Sequence, residues 1–223
     1  MDYAWLALPL LMAVLDWIAV SRNWLVVHAI AKQLVMIGLI AWLWFFTNWS
    51  GVLLWFGLAL VFSWAGDVFL LSKDYFLPGL IAFLLAHIAY LLGLNLNNPL
   101  LSAVSVGIVI GTALVVILIY PPIRIGLLRR SSTRKLEIPV LVYGVVLSLM
   151  MLSTVATLFR LEWAVWTAIL MAAGGILFFI SDNILARDRF VHTIRNGQVL
   201  NLVTYHLGQI AIIAAAVIHF GKL

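Results

Sequence analysis

The sequence predicts an all-α polytopic membrane helix bundle of about eight transmembrane helices, built as a single transmembrane domain over residues 1–223. Three observations carry this prediction. First, 65% of the 223 residues are hydrophobic and only 9% are charged, whereas a soluble globular domain carries about 25% charged residues. So few charges cannot coat a surface that faces water. Second, eight continuous apolar runs have close to the roughly 20 residues that a helix needs to cross a bilayer. Third, the basic residues outside those runs fall almost entirely in alternate connections.

The runs are residues 4–20, 24–46, 51–71, 76–94, 101–119, 137–158, 163–185 and 199–219. The first follows Met1-Asp2-Tyr3. No positive region precedes it, so it is expected to remain as a helix and not to be cleaved as a signal. Short connections at 21–23, 47–50, 72–75 and 95–100 separate the first five. The fifth is expected to stop at Tyr120-Pro121-Pro122, which opens a basic connection over 120–136. Residues 159–162 join the sixth to the seventh, and a second basic connection, 186–198, leads to the eighth. Lipid offers no water to backbone N–H and C=O groups, so spanning segments are helices or closed barrels. These runs are too long for barrel strands and do not alternate, so helix is the reading.

Ten Lys and Arg residues fall in the connections after odd-numbered runs, and two, Arg160 and Lys222, fall on the other side. Basic connections stay cytoplasmic. The long basic loops are therefore expected to be cytoplasmic and both termini external. Trp5, Trp42, Trp44, Trp49, Trp55, Trp163 and Trp166 fall near the external ends, as an interfacial belt would. The net charge of +5 then reads as a topology signal and not as a nucleic-acid site. With no cysteine in the chain, disulfides, thiolate chemistry and sulfur-held zinc are excluded.

A weak internal repeat is visible. The third run ends in Gly66-Asp67-Val68-Phe69-Leu70 and the seventh in Ser181-Asp182-Asn183-Ile184-Leu185. Gly79 precedes His87 by eight residues, as Gly197 precedes Tyr205. Two parallel four-helix halves would produce this pattern.

Ionisable groups inside a bilayer are costly and mark functional sites by default. The runs contain Asp16, His28, Lys32, Asp67, His87, Asp182 and His206. Asp67 and Asp182 each lie a few residues before an inner helix end. Lys32, His87, Tyr205 and Gln209 lie at similar depth on helices running back outward. Asn201, Tyr205 and Gln209 recur every four residues on one helical face, His87 shares a face with Tyr90, and Tyr143 projects from the sixth run. A polar cluster in the inner half of the bundle is the expectation. Asp16, His28 and His206 read as structural or packing residues, and Lys32 has the alternative of snorkelling to the headgroups.

These residues resemble the YhhN family, the lysoplasmalogenases. The resemblance is carried by Lys32, by Gly66-Asp67 with Leu70, by FLPGLIAFLLAHIAY from Phe76 to Tyr90, by GGILFFISDNILARDRF from Gly174 to Phe190, and by TYHLGQIAI from Thr204 to Ile212. One departure is Gln33, where the family often has proline after the lysine. The resemblance implies a hydrolase that cleaves the vinyl ether of lysoplasmalogens, giving a fatty aldehyde and a glycerophospho-base. Its partners would be the lysophospholipid substrate and membrane lipid, with no cofactor and no protein partner.

Vinyl-ether hydrolysis needs a proton donor, a base and a positioned water, which two carboxylates can supply, as in glycosidases. Asp67 and Asp182 are the expected catalytic pair, meeting across one pocket. Lys32, His87, Tyr90, Tyr143, Ser181, Asn201, Tyr205 and Gln209 are expected to bind substrate or orient it. Two other readings remain open at this point. One is a metal-dependent intramembrane lipid hydrolase using Asp67, His87, Asp182 and His206. The other is a lysolipid transporter or receptor, since intramembrane charges also mark transport paths.

Overall fold

The computed structural model describes residues 3–96 and 102–221; Lys222 and the first residue of the fifth run lie outside them. Eight helices are long and apolar enough to cross a membrane, and no strand occurs among the described residues. They are α1 (Ala7–Ser21), α2 (Leu25–Thr47), α3 (Leu53–Leu70), α4 (Phe76–Asn95), α5 (Ala103–Leu128), α6 (Glu137–Ala156), α7 (Val165–Phe190) and α8 (Gly197–Phe220). The protein is a multi-pass integral membrane protein.

The largest departure from the sequence reading is at α5. The helix does not stop at Tyr120 but continues through Pro121 and Pro122 to Leu128, so about half of the expected basic loop belongs to this helix, and Ser131–Arg134 adds a further helical turn. Proline removes one backbone donor and crowds the carbonyl one turn back. Tertiary contacts outweigh that cost here. The Tyr120 hydroxyl donates to the Glu137 carbonyl at 3.0 Å, and Arg124 Nε donates to the Glu137 carboxylate at 2.7 Å. Ile123 and Leu127 are buried against Val140. Gly126 lets the helix touch the end of α7, because a Cβ there would lie 1.9 Å from the Phe190 carbonyl oxygen. α7 likewise runs five residues past its expected end, to Phe190.

Each helix packs on its successor within α1–α4 and again within α5–α8. The halves join where α4 lies against α6, and where α8 lies against α1, α2 and α3. α8 is the most enclosed span and α5 the least. The α7–α8 pair is held at backbone contact by Gly174 and Gly208, since a Cβ on either would lie 3.0 Å from the other's carbonyl oxygen. Small residues allow this approach, and in lipid close packing is a main source of helix association.

The tryptophans divide. Trp5, Trp44 and Trp166 are exposed, as an interfacial belt requires, but Trp42 and Trp163 are buried in the bundle. Trp163 stacks on His219 with 3.8 Å between ring centroids.

Arg160, an exception to the charge asymmetry, has a structural task. Its guanidinium donates to the Leu94 carbonyl at 2.7 Å and to Asn95 Oδ1 at 2.8 Å. It thereby bonds a backbone carbonyl in the last turn of α4, where carbonyls lack helical partners. Burial lowers its pKa from the ordinary arginine value, and the Glu162 carboxylate opposes that shift. Arg160→Met removes both hydrogen bonds and should lower stability by about 1–3 kcal/mol, read as a reduced melting temperature of the detergent-solubilised protein; an unchanged melting temperature would show the latch to be idle.

Candidate functional site

The polar side chains inside the bundle do not form one cluster. They sort into separate centres, each built from particular helices.

The first centre holds Asp67 of α3, Lys32 of α2 and Tyr205 of α8. Lys32 Nζ lies 2.9 Å from Asp67 Oδ1, and the Tyr205 hydroxyl donates to Asp67 Oδ2 at 2.7 Å. Both carboxylate oxygens are engaged, and Asp67 is 1% exposed. Lys32 is itself buried, so it does not snorkel. Its charge is balanced inside the protein, as a charge removed from water requires.

The second centre holds Asp182 of α7, His87 of α4 and Tyr143 of α6. The Tyr143 hydroxyl donates to Asp182 Oδ2, and His87 Nε2 lies 3.3 Å from the same oxygen and 3.0 Å from the Tyr143 hydroxyl. Both contacts fall on Oδ2. The Asp182 side chain retains 11% exposure while His87 is fully enclosed. Asp182 and Tyr143 stand in the wall of an apolar crevice of about 800 Å³, counted to its open mouth.

The crevice lies between α4, α5, α6 and α7. At the end of the bundle that carries the basic loops it is bounded by Phe76, Ile123 and Phe190. It extends past Asp182 to Val115, Leu147 and Ser148 near the middle of their helices. Its α7 wall, Phe179, Asp182, Ala186 and Phe190, repeats every three or four residues, so one face of that helix lines it.

The two carboxylates are not in contact. Asp67 does not line the crevice, and the rings of Phe83, Phe178 and Tyr205 pack together between the centres, edge to face at 5.4–6.4 Å. Phe178 also meets the His87 ring at 4.8 Å.

The remaining expected residues have other partners. The Tyr90 hydroxyl donates to Gln209 Oε1, and Gln209 Nε2 donates to Ser63 Oγ at 2.9 Å. All three are buried, and none lines the crevice. Ser181 and Asn201 clamp α7 to α8: the Ser181 hydroxyl donates to the Asn201 carbonyl at 3.0 Å, and Asn201 Nδ2 donates to the Ser181 carbonyl and hydroxyl, each at 2.8 Å.

A third carboxylate, read from sequence as structural, proves to be fully enclosed, with one partly exposed partner. Asp16 of α1 is 0% exposed. Its Oδ1 lies 2.6 Å from His28 Nδ1, and its Oδ2 lies 3.9 Å from His206 Nε2. The Trp17 indole donates to His206 Nδ1 at 3.1 Å. Its sequence signal is depth: Asp16 and His28 stand equally far from Arg22, in the turn between α1 and α2. Ser63 was also missed, although it lies four residues before Asp67 and so on the same face. The four residues proposed as metal ligands are divided among the three carboxylate centres. Among the described residues no three His, Asp or Glu side chains come together in a way that could hold a metal.

Comparison with known proteins bears on this arrangement. The chain is 28% identical to the mouse protein named lysoplasmalogenase TMEM86B (Mus musculus) over 219 residues, which is 95% of this chain and 86% of that one. It is 27% identical to human lysoplasmalogenase TMEM86B (Homo sapiens), over 84% of this chain and 74% of that one. It is 29% identical to bovine lysoplasmalogenase TMEM86A (Bos taurus), over 71% and 63% respectively. No solved structure matches. The profile of the YhhN family matches residues 27–216, a stretch that contains both the Asp67 and the Asp182 centres, and the chain belongs to that family.

Proposed function

We propose that the protein is a lysoplasmalogenase, hydrolysing the vinyl ether of a lysophospholipid to a fatty aldehyde and a glycerophospho-base. The names of its relatives support the substrate class. The observation that carries the chemistry is the position of Asp182, a carboxyl with one oxygen held by two side chains and its body in the wall of an apolar crevice.

An alkenyl chain would lie in the crevice toward the middle of the membrane, with the glycerophosphate toward the basic rim. Asp182, protonated on Oδ1, gives its proton to the β-carbon of the enol ether, and the electron pair of the double bond forms the new C–H bond. The adjacent carbon becomes an oxocarbenium centre. The carboxylate left behind is stabilised by the Tyr143 hydroxyl and by His87, and charge-assisted hydrogen bonds of this kind are the strong ones. Water adds to the oxocarbenium carbon, and its proton returns to the carboxylate. The hemiacetal then collapses to aldehyde and the glycerol hydroxyl. General acid catalysis of this type contributes roughly 10²–10⁴-fold.

Asp67 belongs to the same proposal in a different role. Its two oxygens are committed to Lys32 and Tyr205, so it serves by fixing α2, α3 and α8 around the ring cluster that backs His87. The rim is cytoplasmic in this reading, following the basic loops.

Asp182→Asn should reduce aldehyde release at least about 100-fold with no change in melting temperature; substantial turnover in this variant would remove the carboxyl from the reaction. Asp67→Asn leaves the Lys32 ammonium buried without its partner, a loss of about 3–5 kcal/mol. It should therefore melt early, and Asp67→Asn combined with Lys32→Met should recover most of that loss together with activity. If Asp67→Asn melts normally and is still inactive, Asp67 acts in the chemistry directly.

A further inference from the structure

The basic residues at the rim of the crevice entered the sequence reading chiefly as topology signals. One of them stands apart. Arg189 is exposed, and its guanidinium lies over the Phe76 ring, 3.9 Å from the centroid. Phe76 in turn meets Phe190 edge to face at 5.7 Å, and both line the crevice. No hydrogen bond or ion pair joins the Arg189 side chain to another described residue. Its neighbours are otherwise engaged: Arg124 is paired with Glu137, and Asp188 accepts from the Ile194 backbone N–H at 2.7 Å.

Resting on the lysoplasmalogenase reading, we propose that Arg189 is the phosphate-binding residue of the substrate site, holding the headgroup of a lysophospholipid whose chain occupies the crevice. Three features argue for it. Stacking on Phe76 holds the guanidinium by one face and leaves its N–H edge free for the two-point contact that arginine makes with phosphate. Lys32 cannot take this part, because it is buried against Asp67 and does not line the crevice.

The third feature is spacing. Arg189 follows Asp182 by seven residues, which returns it to the same face of α7 about 10.5 Å further along the axis. In a lysophospholipid seven bonds separate the β-carbon, which Asp182 protonates, from phosphorus, about 9 Å when extended. With a contact of about 3 Å at each end, the substrate reaches past the separation along the helix, so one molecule can meet both residues. Arg187, by contrast, is about 140° around the helix from Asp182 and points away from that face.

The test compares the wild type with Arg189→Gln, Arg189→Lys and the control Arg187→Gln, on two substrates: a lysoplasmalogen and the phosphate-free 1-alkenylglycerol. Arg189→Gln should raise KM for the lysoplasmalogen about tenfold with kcat within about twofold, as expected for loss of uniform binding. It should leave the alkenylglycerol unaffected. Arg189→Lys should recover part of the loss, and Arg187→Gln should behave as wild type. An unchanged KM, or equal losses on both substrates, overturns the assignment and leaves Arg189 a structural or topological charge.

A binding arm separates this assignment from the hydrolase reading. The saturated 1-O-hexadecyl lysophosphocholine cannot be cleaved, and Arg189→Gln should bind it about tenfold more weakly while binding 1-O-hexadecylglycerol as well as wild type does. If no aldehyde forms from any substrate, the hydrolase reading fails. The phosphate site then stands or falls on this difference alone. Inorganic phosphate at the same concentration should not displace the ether lipid. Displacement would indicate a plain anion site and would equally overturn the assignment.

Discussion

A charge beneath the headgroups has to be met by the protein itself, and the interior of this bundle is arranged around that constraint. Lys32 and Asp67 meet at 2.9 Å, and the second oxygen of Asp67 takes the Tyr205 hydroxyl. The consecutive helices α2 and α3 and the distant α8 are thereby bound to one another at one depth. Neither partner could remain without the other, because a lone buried charge is strongly destabilising. The Asp16 centre, one helix away, engages one carboxylate oxygen with His28 at 2.6 Å and leaves the other 3.9 Å from His206, without a hydrogen bond. Asp182 is answered less completely, by a hydroxyl and an imidazole on one oxygen, and it is the carboxyl that borders open space.

The number of spanning helices was legible because hydrophobicity over about 20 residues is a long, redundant signal. The polar faces were legible for the same reason. Asn201, Tyr205 and Gln209 do share a stripe of α8, but they address three separate partners: Ser181, Asp67 and Tyr90. Helical period reports which way a side chain points, not what it meets, and that is why one pocket was expected where several centres exist. The α5 boundary was not legible. A Pro-Pro step is a local signal to stop, and it was outweighed by distant contacts to Glu137, Val140 and Phe190 that no local window contains. Trp42 was read as interfacial from its place in the chain, but burial is decided by helix rotation within the bundle.

The two centres correspond in chain order. Asp67 sits on the third helix and takes partners from the second and the eighth; Asp182 sits on the seventh and takes partners from the sixth and the fourth. Lys32 thus corresponds to Tyr143, and His87 to Tyr205. The packing of α4 on α6 and of α8 on α2 has the same relation. This is the pattern that two parallel four-helix halves would leave. The cationic side chain of the first centre is replaced by a neutral hydroxyl in the second, and only the second borders the crevice.

The outermost wall of that crevice is α5, a helix that buries few of its side chains. It is fastened mainly at its basic end, by Tyr120, Arg124 and Gly126. A cleft with so thin a wall, running from the charged rim toward the bilayer midplane, touches two solvents at once. For an ether lipid split there, no separate exits are required. Under the proposed reaction the aldehyde would slip sideways into hydrocarbon while the glycerophospho-base is drawn off into water, each fragment leaving by its own solubility.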